Sequence, residues 1–255
     1  MADDLLAPAD NNSDDVFALR GEEELRSALE ETVHLVGAYV CDTERRAEVR
    51  TGLELIVHAG EGFIPLWDRN VILRWRFQER SLARFRNPER VKNAVRTLLH
   101  AAIGAWGDAA PIRFSEQTVG GWDFEIAVRD GDHCSPAGCT LASAFFPDQG
   151  QHELVVYPMM FTLDAHEQLE TLAHEIGHIF GLRHFFALEL ERGLSAEAWG
   201  QHEKISIMNY GDDSQLTPTD REDLKRLYDL AWSGQLTDIN RTPIRLMRPF
   251  SSLRP

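Results

Sequence analysis

The spacing of apolar residues divides the chain into an N-terminal stretch of helical periodicity and a longer stretch in which strands and helices alternate. Apolar positions recur every three to four residues over residues 22–40, which predicts a helix. A second helix is expected over residues 44–58, before a glycine-containing break. Residues 1–15 are rich in Asp, Asn, Ala and Pro, and we expect them to be disordered. The pattern therefore predicts a separable helical segment over residues 16–66.

The pattern changes near residue 67, where short alternating runs indicate strands and amphipathic runs indicate longer helices. Two helix starts are marked by a capping residue followed by proline: Asn87 before Pro88, and Thr217 before Pro218. The predicted strands cover residues 71–77, 112–114, 124–128 and 154–157, and the predicted helices cover residues 87–106, 168–180 and 217–232.

Composition indicates a globular protein and narrows the range of partners. The chain has 255 residues, of which 43% are hydrophobic, enough for a sizeable core. Its formal net charge of −15 argues against nucleic acid as a partner. No apolar run approaches the ~20 residues of a membrane-spanning helix, so we expect no membrane partner. We expect the protein to act as a monomer.

The N-terminus carries no visible secretory signal, because it is acidic where a basic and then apolar stretch would be needed. We nevertheless expect the protein to be secreted or delivered outside the cell. Either a signal has already been removed or export follows another route.

The most informative segment of the chain is residues 174–184, which contains three histidines, a glutamate and a glycine at characteristic spacings. His174 and His178 lie four residues apart on a predicted helix, so both can reach one metal ion. Gly181 can end that helix in a left-handed turn, which would bring His184 to the same ion. Three nitrogen ligands with one open position are typical of a catalytic zinc site. Glu175 is a candidate base for the attacking water.

Coincidence explains this segment poorly. The shorter pattern, with two histidines and the glutamate, arises by chance in roughly one such chain in thirty. The added glycine and third histidine lower that expectation to about one in ten thousand. A structural zinc or an inactivated site is the remaining alternative, because a sequence does not show turnover.

Residues 206–210, Ser-Ile-Met-Asn-Tyr, follow the histidine segment. A long histidine motif followed by a methionine turn resembles the metzincin clan of zinc proteases. The resemblance implies that Met208 forms an apolar floor beneath the three imidazoles; an ordinary core methionine is the alternative. In astacin-like and serralysin-like members, a tyrosine placed like Tyr210 ligates zinc and stabilises the oxyanion. A packed tyrosine with a satisfied hydroxyl is the alternative for Tyr210.

Within the clan, the order of elements before the active-site helix resembles that of matrixins. This resemblance implies an α+β, zincin-like catalytic domain over residues 67–239. Such a domain has a twisted, mostly parallel sheet with an antiparallel edge strand, a long helix, an active-site helix and a small C-terminal subdomain. The upper part would end near residue 181 and the lower part would begin at residue 182. A basic tail over residues 240–255 would follow.

Residues 140–147 resemble the matrixin edge strand that binds an extended substrate by strand addition. The implied substrate-binding residues are Leu141, Ala142, Ser143 and Ala144. Animal matrixins have a structural-zinc histidine where this chain has Ser143, so we expect a single catalytic zinc and no second one.

The remaining candidate ligands for this region are Asp130, Asp132, His133 and His152. The histidines look like remnants of the structural-zinc set, and an incomplete set binds zinc poorly. Asp130 and Asp132 are candidate calcium ligands, and solvated loop carboxylates are the alternative.

The three cysteines leave the redox environment open. Cys134 and Cys139 are close enough in sequence to close a small loop in an oxidising compartment. Cys41 is then left over. In matrixins a pro-segment cysteine blocks the zinc and keeps the zymogen latent, but Cys41 lacks the flanking arginine and glycine of that pattern. A small buried residue in a helix is its alternative role.

These observations predict a zinc-dependent endopeptidase that cleaves extended protein or peptide substrates with Glu175 as the general base. Two alternatives stay open. The N-terminal segment is either a removable pro-segment that keeps a zymogen latent or a permanent extension. A protein that keeps the zinc site for partner binding without turnover is the second alternative.

Overall fold

The computed structural model describes residues 16–17, 55–59, 62–135, 138–184, 196–200, 205–209 and 214–253. The stretch expected to be disordered and the first expected helix lie outside these residues, as does the second expected helix up to residue 54. Cys41 and Tyr210 also lie outside the described residues.

The described part of the chain is a mixed α+β structure in which strands outnumber helices. The strands are β1 Leu55–His58, β2 Ile64–Trp67, β3 Ile72–Phe77, β4 Arg113–Glu116, β5 Phe124–Val128, β6 His133–Ser135, β7 Gly138–Thr140, β8 Ala142–Ser143, β9 His152–Val156, β10 Leu182–Arg183, β11 Ala196–Trp199, β12 Asp238–Ile239 and β13 Thr242–Met247. The α-helices are α1 Glu79–Leu82, α2 Pro88–Trp106, α3 Ala165–Ile179 and α4 Pro218–Trp232, and 3-10 turns cover Gly107–Ala109, Pro158–Thr162 and Phe250–Ser252.

The central element is a five-stranded sheet in the order β4-β3-β5-β9-β8. β3 runs parallel to β4 and β5, β5 runs parallel to β9, and β8 runs antiparallel to β9 at the edge. Strand β5 lies in the middle, and four of its five residues are buried, as parallel strands covered on both faces require. The expected fold class, α+β with a mostly parallel sheet and an antiparallel edge strand, is confirmed.

The long helices begin at the caps that the sequence offers. Asn87 accepts a hydrogen bond from the Arg90 N–H at 3.1 Å, and Thr217 accepts one from the Asp220 N–H at 3.0 Å. Helix α3 starts three residues earlier than expected because Asp164 forms a capping box with Glu167.

The packing of the helices buries one face of each against the shared core. On α2 the buried positions are Val91, Val95, Leu99, Ala102 and Trp106. The Trp106 indole N–H donates to the Ala173 carbonyl at 3.0 Å, which joins α2 to α3. Residues of α2 therefore set the position of the helix that carries the histidines.

The expected second helix is wrong at its C-terminal end, because residues 55–58 form strand β1. β1 is the central strand of a three-stranded sheet in the order β10-β1-β11, paired antiparallel on both sides. Residues 154–157 were the final strand that the sequence predicted, which was wrong: in the described part of the chain, four more strands follow β9. Short apolar runs are compatible with either a helix or a strand, and here the pairing partner decides.

Strand β2 lies within the segment that was expected to be helical, and strand β13 lies within the expected tail. The two pair in parallel over residues 64–67 and 244–247. A boundary at residue 67 therefore falls inside a network of paired strands: β1 and β2 before it are bonded to β10, β11 and β13 after it.

The disulfide between Cys134 and Cys139 joins β6 to β7. Of the helices in the described part of the chain, none combines the length and apolarity needed to cross a lipid bilayer.

Candidate metal centre

Three imidazoles converge at the C-terminal end of α3. His174 and His178 lie on successive turns of the helix, and His184 directly follows β10. The Nε2 atom of His174 lies 2.9 Å from Nε2 of His184 and 3.1 Å from Nε2 of His178. All three residues are at least nine-tenths buried. The structure therefore brings together the three rings that the spacing in the sequence singled out.

Backbone carbonyls set the orientation of two of these rings. His174 Nδ1 is 2.7 Å from the Ile207 carbonyl oxygen, and His178 Nδ1 is 2.8 Å from the Leu182 carbonyl oxygen. Because a carbonyl only accepts, each Nδ1 carries the hydrogen, and each Nε2 presents a lone pair.

Lone pairs that face each other at 3.1 Å repel unless a cation lies between them. A tetrahedral zinc with bonds of 2.0–2.1 Å holds its nitrogen ligands roughly 3.3 Å apart, close to the observed separations. Among the described residues, the group of His, Cys, Asp and Glu side chains that brings three ligand atoms within 4.8 Å of one another is His174, His178 and His184. The donor set and its tautomers therefore fit zinc.

The glycine turn predicted after the helix is present. Gly181 has φ +92°, a conformation that glycine adopts without strain, and its N–H donates to the His178 carbonyl at 2.8 Å. A Cβ at this position would lie 3.3 Å from the Pro65 carbonyl oxygen and 3.5 Å from Pro147 Cγ. The turn thus lets the chain reverse closely against two neighbouring segments before reaching His184.

Two distant side chains hold the end of α3, and sequence reasoning missed both. The Trp67 indole N–H donates to the Ile179 carbonyl at 2.7 Å, and the Tyr228 hydroxyl donates to the Phe180 carbonyl at 2.9 Å. Burial raises the pKa of Tyr228, so the phenol keeps its proton for this bond. These carbonyls have no partner within the helix, so the two bonds stabilise its end.

Met208 packs under the helix at Gly177, between His174 and His178. It is fully buried, and a Cβ on Gly177 would lie only 2.6 Å from its Sδ atom. A glycine at position 177 is therefore what allows the methionine to approach the helix this closely.

The backbone around Met208 is held by one buried carboxylate. Asp220 accepts hydrogen bonds from the Ser206 hydroxyl at 2.5 Å, the Thr217 N–H at 2.9 Å and the Ile207 N–H at 3.3 Å. Burial raises the pKa of Asp220, and these hydrogen bonds oppose the rise. Since the Ile207 carbonyl orients His174, Asp220 supports the position of a candidate metal ligand through the backbone.

Of the other predicted site residues, Glu175 and the edge-strand residues lie in the described part of the chain, and Tyr210 and Cys41 do not. Glu175 is 97% buried on α3, one residue after His174. The edge strand is shorter than expected: only Ala142 and Ser143 form β8, flanked by Leu141 and Ala144.

The two carboxylates among the candidate ligands of a second metal are engaged elsewhere. The Asp130 carboxylate is paired with Arg84, and Asp132 accepts the Met159 N–H at 2.7 Å. The His152 ring stacks on Phe145 with centroids 4.5 Å apart, and burial lowers its pKa against the opposing charges of Asp148 and Asp123. Calcium binding by Asp130 and Asp132 stays a prediction.

The chain is similar to known metalloproteases over part of its length. Residues 67–189 match the family model described as matrixin. Human matrix metalloproteinase-17 is 31% identical over 110 residues, which cover 37% of this chain and 18% of that protein. The solved structure of myroilysin aligns with 68% of this chain and 98% of its own at 14% identity and a TM-score of 0.46.

The matched range contains α2, α3, the five-stranded sheet and all three imidazoles. Strands β1, β11 and β13 lie outside it. Residues 67–189 are therefore the matrixin-like part of the chain, and strands before and after this range belong to the same network of paired strands.

Proposed function

We propose that the protein is a zinc-dependent endopeptidase. The observation that carries the proposal is the convergence of three buried Nε2 atoms, two of them fixed as lone-pair donors by backbone carbonyls. His174, His178 and His184 would hold the ion. The similarity to matrixins over residues 67–189 supports the same chemistry.

The chemistry can be derived from the residues around the ion. When bound, zinc would supply a Lewis acid and lower the pKa of water. The Glu175 carboxylate would take a proton from the attacking water and return it to the departing amine. Tyr210 is proposed to donate a hydrogen bond to the developing oxyanion. Met208, packed against Gly177, would keep the first two imidazoles at a fixed distance from the rest of the domain.

The proposed substrate is an extended protein or peptide segment. Strand β8 lies at the edge of the five-stranded sheet, which is the position at which strand addition takes place. Residues 141–144 would pair with the substrate backbone and lay the scissile bond across the ion. Main-chain pairing of this kind favours unfolded or flexible segments, because they can become extended at low cost.

We further propose that residues 55–66 are a permanent part of the catalytic domain. β1 is the central strand between β10 and β11, and the His58 N–H donates to the Gly181 carbonyl at 2.9 Å. Removing β1 would take away the strand that pairs with β10, and β10 directly precedes His184. A latent form blocked by Cys41 or by another residue before position 55 is compatible with this arrangement.

Secretion or delivery outside the cell remains part of the proposal. The Cys134–Cys139 disulfide supports it, because such bonds persist in oxidising compartments. Expression of the protein in reducing and in oxidising compartments, followed by mass spectrometry of the intact chain, would test where this disulfide forms.

Cleavage of denatured casein by the full-length, zinc-loaded protein tests the central proposal. Glu175→Gln should retain one zinc per chain and lose activity by about a thousandfold or more. Glu222→Gln is the matched control, because Glu222 is an exposed glutamate on α4, away from the helix that carries the histidines. Full activity in Glu175→Gln would remove Glu175 from the role of base.

Two further outcomes separate the alternatives. Activity that appears only after cleavage before residue 55 would identify a latent enzyme. Stoichiometric zinc without cleavage of any denatured protein would favour a binding protein that uses the site without turnover.

A further inference from the structure

A cavity of about 690 Å³ lies beside the candidate metal centre, and none of the three histidines lines it. Its walls come from β2 and β13 on one side and from residues 147–149, after the edge strand, on the other. Strand β13 lies outside the matrixin-like range. The cavity is therefore built partly by the strands that this chain adds to the domain.

The cavity is joined to the metal centre by direct contacts. Pro65 and Pro147, which both line it, also flank Gly181 in the turn between the second and third histidines. The ring of His58, another lining residue, stacks on Phe146 at 4.1 Å, and Phe146 meets His178 edge-on at 5.4 Å. These two ring contacts together span roughly 10 Å, so at about 3.3 Å per extended residue the cavity lies roughly two to four substrate positions from the bond that would be cleaved.

Continuity with the edge strand leads a bound peptide towards the cavity. β8 ends at Ser143, and the chain runs from there through Phe146 into the cavity wall at Pro147. A peptide paired with residues 141–144 and extended in this direction would therefore reach the opening.

Two charged side chains line this opening, the basic Arg245 and the acidic Asp148. The Arg245 guanidinium lies over the Phe63 ring at 4.1 Å, and both residues line the cavity. Of the carboxylates in the described residues, none lies within ion-pair distance of Arg245. Asp148, the acidic lining residue, uses Oδ1 to accept the Gly150 N–H at 2.8 Å. The planar fork of Arg245 keeps its donors for a ligand carboxylate.

We propose that this cavity is a substrate subsite in which Arg245 binds an acidic side chain, aspartate or glutamate, two to four residues from the cleaved bond. The inference rests on the proposed peptidase function for its substrate. It assigns a preference to a residue outside the matrixin-like range, on a strand that was expected to be a tail.

Digestion of a peptide library by the full-length, zinc-loaded protein tests the proposal, with the residues around each cut scored by mass spectrometry. Wild-type protein should enrich Asp and Glu about threefold or more at one position two to four residues from the cut. Arg245→Glu should abolish this enrichment and favour Lys and Arg instead. Arg113→Glu is the matched control: Arg113 is exposed on β4, at the opposite edge of the five-stranded sheet, and the change in net charge is identical.

A binding measurement in zinc-loaded Glu175→Gln protein separates this inference from the proposed function. The probes are two fluorescein-labelled ten-residue peptides of Ala, Gly and Leu, one with three Glu and one with three Lys. The Glu peptide should bind about fivefold tighter than the Lys peptide, and adding Arg245→Glu should reverse the ratio, whereas adding Arg113→Glu should leave it unchanged.

The outcomes are distinct. If binding depends on Arg245 and on peptide charge, but neither the wild-type protein nor the two arginine variants cleave the library, the peptidase proposal is overturned and the subsite is supported. Cleavage with the same preferences in wild-type, Arg245→Glu and Arg113→Glu proteins would support the peptidase and overturn the subsite. Equal affinity for the two peptides would overturn the subsite as well.

Discussion

The first two imidazoles and the third are held in different ways. His174 and His178 share one helix, so helical geometry alone puts them four residues apart on one face. His184 lies beyond a glycine turn and follows a two-residue strand, β10, whose partner β1 is more than a hundred residues earlier in the chain. The first pair is therefore a local property of the sequence, and the position of the third ligand is a tertiary property.

This difference indicates where the site is vulnerable. A change on α3 has to disrupt a helix that is capped at both ends, by Asp164 at its start and by Trp67 and Tyr228 at its end. A change around His184 has only to loosen a short strand or a tight turn. We expect substitutions of similar chemistry to affect zinc binding more strongly near the third ligand.

The largest effect is expected at the turn. Gly181→Ala should lower the free energy of unfolding by about 2–4 kcal/mol and weaken zinc binding at least tenfold, because it combines a left-handed backbone with a close contact to Pro65. Gly234→Ala is the control: its φ is +73°, but a Cβ there meets no atom within 4 Å. Urea unfolding and competition with a chromogenic chelator measure the two quantities. Equal losses in both variants would mean that the contact at Gly181 contributes nothing.

A smaller effect is expected at the strand that supports β10. Val57→Ala should lower the free energy of unfolding by about 2 kcal/mol, because Val57 is fully buried in β1. Zinc affinity should fall in the same variant, since β1 is the partner of the strand before His184. Val119→Ala is the control, with 85% of Val119 exposed. Unchanged stability and zinc affinity in Val57→Ala would show that β1 is separable from the site.

The smallest effect concerns the carboxylate that holds the backbone below His174. Burial raises the folded-state pKa of Asp220 above its unfolded value of about 3.9. The contribution of this group to stability is therefore fully present below the unfolded pKa and is lost as the pH rises through the folded pKa. Wild-type protein should lose stability relative to Asp220→Asn as the pH rises from about 4 towards 7.

Urea unfolding of both metal-free proteins across this pH range would measure the difference. Asp220→Asn should be the less stable protein at the acidic end, because its amide donor would face the N–H groups of Ile207 and Thr217. A stability difference that does not change with pH would contradict the assignment of a raised pKa to Asp220.

The sequence predicted the elements whose signals are local. Helix α4 begins at Pro218 after the Thr217 cap and ends at Trp232, as expected, because the capping box and the apolar spacing lie within the helix itself. Strand β5 was predicted at its observed bounds for a similar reason: a short, almost continuous apolar run is typical of a buried parallel strand.

The elements that were missed depend on distant partners. β1 is a four-residue run, and nothing within it distinguishes a strand from the end of a helix. β13 contains Pro243 near its start, and proline argues against a strand because it has no backbone N–H to donate. The strand forms because the residues after Pro243 pair with β2. The residues next to Trp67 and Tyr228 in the sequence give no signal that these side chains hold the end of α3. The carbonyls that they bind are more than 45 residues away along the chain.

The candidate site shows the same division. Its candidate ligands could be named from their spacing, and the structure brings them together. The carbonyls of Ile207 and Leu182, which decide the tautomers of two ligands, could not be named, because they depend on how the backbone folds back around the helix.

Zinc binding by single-histidine variants of the full-length protein tests the central claim most directly. Elemental analysis should find one zinc per wild-type chain, and chelator competition should show that His174→Ala, His178→Ala and His184→Ala each weaken binding by more than about a hundredfold. His166→Ala, an exposed histidine on the same helix, should bind as wild type does. A wild-type protein without zinc, or a His184→Ala variant with wild-type affinity, would contradict the account.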